Sequence, residues 1–212
     1  VCSSDLIPNF QQRVVGGTGS GVEVANIQRI VDEGLLKALR KESSALKTLD
    51  SSSAYFSRIQ DTFGTPADNT SLSHAMAQIT AAVEALALSP EKIIEQSELV
   101  TRAQEVTIKL QDMSATLQEL RLQADRDIGE LAKEGNDLIQ TLSKLNISIV
   151  QNQAVGRDTT DLQDQRDVAL DRLSEIMDVN YFQRGDGGII ILTSSGTTLV
   201  DSVDMVLAHD PV

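Results

Sequence analysis

Aromatic residues are scarce in this chain: four phenylalanines, two tyrosines and no tryptophan among 212 residues. There is no stacking platform for bases. Nor are there Lys/Arg clusters for phosphates, since acids outnumber bases 31 to 18 and the formal charge is −13. Both absences argue against nucleic acid as a partner. No run of about 18 apolar residues exists, so no transmembrane helix is expected. Polar faces poor in Lys and Arg argue against a helix lying on a membrane. No signal peptide is visible at the N-terminus. A single cysteine, Cys2, excludes an internal disulfide framework. It falls within Val1-Cys2-Ser3-Ser4-Asp5-Leu6, six residues that can be back-translated as the tail of a common sequencing adapter. They read as foreign, which makes the cysteine an artefact and the gene one truncated at its start.

Proline is also scarce, and residues 91–153 contain none. What fills that stretch is a stripe of apolar residues at alternating steps of four and three. Leu99, Ala103, Val106, Leu110, Met113, Leu117, Leu120 and Ala124 are followed by Ile128, Leu131, Gly135, Leu138, Leu142, Leu145 and Ile149. This is the seam of one helix about 90 Å long. Burying each large member is worth roughly 1.5–3 kcal/mol, so the stripe requires packing partners. The opposite face is polar, with spaced charge pairs such as Glu105–Lys109. Leu120, Ala124 and Ile128 make two successive steps of four, a stutter that locally unwinds a supercoil. Gly135 on the seam suggests close backbone approach.

The flanking segments complete a mainly α reading. Residues 1–21 are expected to be extended or disordered, ending in a glycine-rich run that lacks the Gly-Lys-Ser/Thr of a phosphate loop. A first helix over 24–63 carries Val31, Leu35, Ala38, Ala45, Leu49, Phe56, Ile59 and Phe63, and Gly64-Thr65-Pro66 stops it. A second starts near Ser71 with Leu72, Met76, Ile79, Val83 and Leu86. Ser89-Pro90-Glu91 reads as the N-cap of the long helix. A fourth helix begins near Asp161, with Thr160 and Gln163 placed for a capping box. Its apolar face is Leu162, Val168 or Ala169, Leu173 and Ile176. After Asp178 the period changes to short strands at 179–183, 188–193 and 197–200, with turns at Asp186-Gly187 and Ser195-Gly196, and another strand begins at Met205. The expected fold is an elongated antiparallel helical bundle over 22–178, followed at 179–212 by the beginning of a β-rich domain.

Candidate chemistry is thin. His74 and His209 lie far apart in sequence, with no HExxH pattern. Asp158, Asp161, Asp164 and Asp167 recur every third residue, but not in calcium-loop spacing, and read as acids at a helix N-terminus. Arg184-Gly185-Asp186 spells an adhesion tripeptide at an expected hairpin turn. Asn146-Ile147-Ser148 matches a glycosylation sequon inside the long helix. No nucleophile elbow is present, and paired carboxylates lie on exposed helix faces. The reading is a structural protein: no enzyme, no cofactor, no metal, no small-molecule substrate.

Two motifs go beyond pattern. Gly21-Val22-Glu23-Val24-Ala25-Asn26-Ile27-Gln28-Arg29-Ile30-Val31-Asp32, with Leu35 and Leu39-Arg40, resembles a stretch of the flagellar hook-associated protein 1 family, the hook–filament junction proteins. Asp161-Leu162-Gln163-Asp164-Gln165-Arg166-Asp167, continuing to Leu170, Leu173-Ser174-Glu175 and Val179, resembles that family's D-L-x-D-Q-R-D motif. The resemblance implies an extracellular axial protein of the bacterial flagellum, exported by the flagellar type III apparatus without a cleaved signal. Its implied partners are copies of itself in a ring, the hook protein and the second junction protein. It also implies that this chain lacks the family's N-terminal helix, most of its β domain and its C-terminal helix. Arg166 and Asp167 are expected to fix the junction of the fourth helix by ion pairing. The same-class alternatives are hook-associated protein 3 and flagellin. Outside the class stands a coiled-coil adhesin stalk or scaffold, which would self-associate as a defined dimer or trimer.

Overall fold

The computed structural model describes residues 5–15, 18–65, 69–201 and 205–211. In chain order these form β1 (Asp5–Val15), β2 (Thr18–Ile30), α1 (Glu33–Phe63), α2 (Leu72–Leu88), α3 (Ile93–Ala154), α4 (Thr160–Ile176), β3 (Val179–Gln183), β4 (Ile189–Thr193) and β5 (Thr198–Val200). The fold is mainly helical, and α3, at 62 residues, is the expected long helix. Two compact units divide the chain. One comprises residues 1–48 and 129–210, the other 49–128 and 211–212.

The start of the chain differs from expectation. β1 and β2 pair antiparallel from Asp5↔Ile30 to Val15↔Thr18, so residues 22–30 are strand and α1 begins only at Glu33. Val22 and Val24 alternate at the period of a strand, and that local signal outweighs the steps of four from Ile27 to Leu35. Residues 1–4, with the cysteine, and the pair 16–17 lie outside the described residues.

In the first unit, β3, β4 and β5 form an antiparallel sheet in that order. Its buried side shares a core with α3 and α4: Ile139 and Leu142, Leu170 and Leu173, then Tyr181, Ile191 and Leu199. Ala169 belongs to this core while Val168 is exposed, which decides between the two candidates on α4. The strands fall within one residue of expectation. No strand forms at 205–210, although Met205 N–H bonds Leu199 O at 3.1 Å.

In the second unit, α2 opens with Ser71, whose hydroxyl accepts from His74 N–H at 3.1 Å. Ser89 closes α2 by donating its N–H to Leu86 O, and its own carbonyl accepts from Lys92 N–H. It therefore ends α2 rather than capping α3, whose first carbonyl acceptor is Lys92. On α2 the buried side passes through Ala82, leaving Met76 and Val83 exposed.

The α3 seam is covered unevenly. Val106, Met113 and Leu120, seven apart, are buried; Leu99 and Leu117 are half-buried; Leu110 is exposed. The eight residues from Leu120 to Ile128 turn a helix about 80° past two full turns. Ile128 and Leu131, which follow the stutter, are both exposed. Beyond it the buried line is Gly135, Ile139, Leu142, Asn146 and Ile149, with Leu138 and Leu145 half-buried beside it. Glu105 pairs with Arg102 rather than Lys109, whose ammonium donates to the Thr70 carbonyl.

The largest departure is on α1. Of the expected stripe, Leu35, Ala38, Ala45, Leu49, Phe56 and Phe63 are exposed and Val31 and Ile59 half-buried; Leu39 and Leu46 beside it are exposed too. The face that packs carries Leu36, Arg40 and Ser44 in the first unit, and half-buried Tyr55 and Ile59 in the second. Polar bonds hold it. Tyr55 O–H donates to Asp127 at 2.6 Å and Arg58 donates to Gln123 at 3.0 Å.

Candidate functional site

The motif at 161–167 forms the first two turns of α4. Asp158, just ahead of the helix, accepts from Thr160 N–H at 2.9 Å and Thr160 O–H at 2.7 Å. Those bonds, the hydroxyl's first, hold the Asp158 carboxyl below the usual range. The cap is therefore not the expected Thr160–Gln163 box; Gln163 instead donates its side-chain amide to the Thr159 hydroxyl at 3.1 Å. Asp161 accepts from Gln165 one turn on, at 2.8 Å. Leu162 and Asp164 are half-buried and Gln165 is exposed.

Arg166 and Asp167 are both buried, and they reach in different directions. Arg166 Nη1 donates to the Gly187 carbonyl in the β3–β4 turn at 2.8 Å. Asp167 accepts from Arg40 Nη2 at 3.3 Å, while Arg40 Nε donates to Asp171 at 2.6 Å. One turn of α4 thus ties α1 on one side and the sheet on the other. Arg40 is only 3% exposed. Burial opposes its charge, but the Asp171 hydrogen bond and nearby negative groups outweigh it and raise the guanidinium pKa. The Arg40 guanidinium lies 5.0 Å from the centre of the Tyr181 ring, whose hydroxyl donates to Glu33 at 3.0 Å. Burial pushes the Tyr181 hydroxyl up to about 12; Arg40 pulls it down and the Glu33 bond adds to the rise. Nearer solvent, Arg172 of α4 takes both oxygens of Glu134 on α3, at 2.6 and 3.0 Å. This bond holds the Glu134 carboxyl below its ordinary value.

Two asparagines on α3 complete the junction, and the sequence gives little sign of either role. Asn146 is buried and acts as a strand partner. Its amide donates to Ile189 O at 2.8 Å and its carbonyl accepts Ile189 N–H at 2.7 Å. Asn136 does the same for Leu207, at 2.9 and 2.7 Å, strapping the segment after the sheet along α3. Glycines make room for that strap. A Cβ on Gly135 would lie 2.9 Å from Leu207 Cδ1, and one on Gly129 would lie 3.2 Å from the His209 ring. The close approach suggested by Gly135 is therefore to Leu207. The only signal for Asn146 is a polar residue on the line of Ile139, Leu142 and Ile149.

The other candidate residues are engaged in structure. With both ends of its amide on Ile189, Asn146 does not present its sequon. Arg184 pairs with Asp186 and Asp201, and Asp186 accepts Gly188 N–H, so the adhesion tripeptide is folded onto its own turn. His74 lies in one unit and His209 in the other. Among the described residues, no group of three or more His, Cys, Asp or Glu is placed to hold a metal ion, and no helix is long and apolar enough to cross a membrane. A cleft of about 500 Å³ beside Arg58, Lys109 and Asp112 mixes both charge signs.

Residues 56–206 match the family described as the flagellar hook-associated protein FlgK helical domain. The chain belongs to this FlgK helical-domain family. It is 22% identical over 193 residues to flagellar hook-associated protein 1 of Bacillus subtilis (strain 168), covering 91% of this chain and 38% of that protein's length. It is also similar in fold to the flagellar hook junction protein FlgK from Burkholderia pseudomallei. That match has a TM-score of 0.67 and 20% identity, over 80% of this chain and 29% of the other. Hook-associated protein 1 is thus favoured over hook-associated protein 3, flagellin and an unrelated stalk.

Proposed function

We propose that this chain is part of a structural subunit of the bacterial flagellum that joins hook to filament and is required for filament assembly. The observation that carries the reading is the FlgK helical-domain match over 56–206, a stretch containing all of α2, α3 and α4 and the three-stranded sheet. The junction geometry supports a mechanical role. Arg40, Arg166, Asn136 and Asn146 join helices and sheet through buried or half-buried polar bonds. Such bonds have fixed partners and directions, so the sheet root is held in one register on the helices. The reading includes no catalysis.

The proposed partners are further copies in a ring, the hook protein on one side and the second junction protein on the other, outside the cell after type III export. The exposed large apolar residues on α1 support an assembled state, because exposed apolar surface marks interaction sites. The motif residues Asp161, Leu162, Asp164, Gln165, Arg166 and Asp167 serve as the structural joint. The seam from Leu99 to Ile149 serves as the spine, and residues 179–212 as the root of a β-rich region. Deleting the gene should leave hooks without filaments and abolish swimming, with recovery on complementation. Normal filaments in the deletion strain would refute the proposal.

A further inference from the structure

Between α1 and β3 lies a cleft of about 370 Å³. Its lining includes Lys37, Arg40 and Lys41 on one wall, Tyr181 and Phe182 on the other, and a single acid, Asp178. That is three cations together in a chain with only 18, against 31 acids. Arg40 has its charge met from behind by Asp167 and Asp171, yet its Nη1 has no hydrogen-bond partner among the described residues. The two lysines are exposed and have no ion-pair partner among the described residues.

Lys37 holds its ammonium 4.9 Å from the Tyr181 ring centre and 5.8 Å from that of Phe182. This keeps the charge at the strand's rim, within reach of an incoming carboxylate. Phe182 itself is 60% exposed and offers an apolar contact beside the charges. Hydrogen bonds of Arg184 N–H to Gly188 O, and of Ser194 N–H to Asp178 O, set the β3–β4 ladder. By alternation, the backbone groups of Val179, Tyr181 and Gln183 face the opposite edge. β3 is the terminal strand of its sheet, and among the described residues no strand pairs with that edge, the kind of edge to which an extended chain can add.

We propose that this cleft docks a carboxylate-bearing segment of a second copy of this chain. Charge complementarity selects the occupant: the chain is strongly acidic, the exposed rim of the cleft carries Lys37 and Lys41 against one acid, Asp178, and a neighbouring copy is the acidic surface that an assembly brings close. Such a contact is head-to-tail, the type that builds rings. The occupant's identity rests on the proposed self-assembly.

The test is a photo-crosslink from position 182. Benzoylphenylalanine replaces Phe182 in the full chain at high concentration, and dimer-sized adducts are quantified and their attachment site read by mass spectrometry. We expect an adduct on a segment rich in Asp or Glu, about tenfold weaker in Lys37→Glu/Lys41→Glu. Lys37→Gln/Lys41→Gln should fall between, and raised salt should act in the same direction. No dimer-sized adduct, an adduct on an apolar segment, or one unaffected by charge reversal would overturn the proposal. A persistent adduct in a protein whose deletion leaves filaments intact would overturn the junction role alone.

Discussion

Replacing Asn146 by alanine should cost more than any change at an exposed asparagine. The substitution strands Ile189 N–H and Ile189 O, bonded at 2.7 and 2.8 Å, with no water to replace the lost amide because Asn146 is 4% exposed. Each buried, unsatisfied group costs about 1–3 kcal/mol. Alanine's better helix propensity returns about 0.6 kcal/mol. The net loss is therefore roughly 1.5–5 kcal/mol, a large part of a typical stability of about 5–15 kcal/mol. Urea unfolding followed by circular dichroism gives the loss, and hydrogen exchange at the Ile189 amide locates it. Exchange there should speed up at least about tenfold. A cost below about 0.5 kcal/mol with Ile189 exchange unchanged would refute the claim that Asn146 anchors the sheet.

Three further outcomes follow from the same junction. Arg40→Met leaves Asp167 buried without its Arg40 partner and should cost about 3–5 kcal/mol, whereas a thermal midpoint within a degree or two of the parent would contradict the geometry. Arg166→Ala should cost about 1.5–3 kcal/mol and speed exchange in the β3–β4 turn; unchanged stability and turn exchange would sink it. Tyr181 gives a pH signature. Its hydroxyl stays neutral in the folded chain up to about 12 but ionises near 10 when unfolded, so its contribution is intact below pH 10. As pH rises from 10 towards 12 the unfolded state loses the proton first, and roughly 2–3 kcal/mol should disappear. The difference in unfolding free energy between parent and Tyr181→Phe should show that slope, and parallel curves would exclude it.

Regular spacing made α3 legible, because its apolar residues repeat over a span that only a helix can satisfy. The short strands and their glycine turns were legible for the same local reason. The orientation of α1 was not. Leu35, Leu39, Leu46 and Leu49 show where some partner could pack, while the face used here is set by Arg40 reaching Asp167 and Asp171, more than 120 residues away. Long-range polar pairs leave no periodic trace. Asn136 and Asn146 were hidden similarly, since one polar residue beside a seam looks like its flank. The hairpin over residues 5–30 was obscured because Ile27, Val31 and Leu35 extend the helical spacing backwards into a strand. Within the 161–167 motif, the residue types pointed to a structural joint, but not to Gly187 and Arg40 as partners of Arg166 and Asp167.

The most direct test of the junction role is immunogold labelling of intact flagella with an antibody raised against this chain. The account predicts a single band of label between hook and filament, absent from the deletion strain. Label spread along the filament, or none on flagella whose hook–filament joints are accessible, would contradict it.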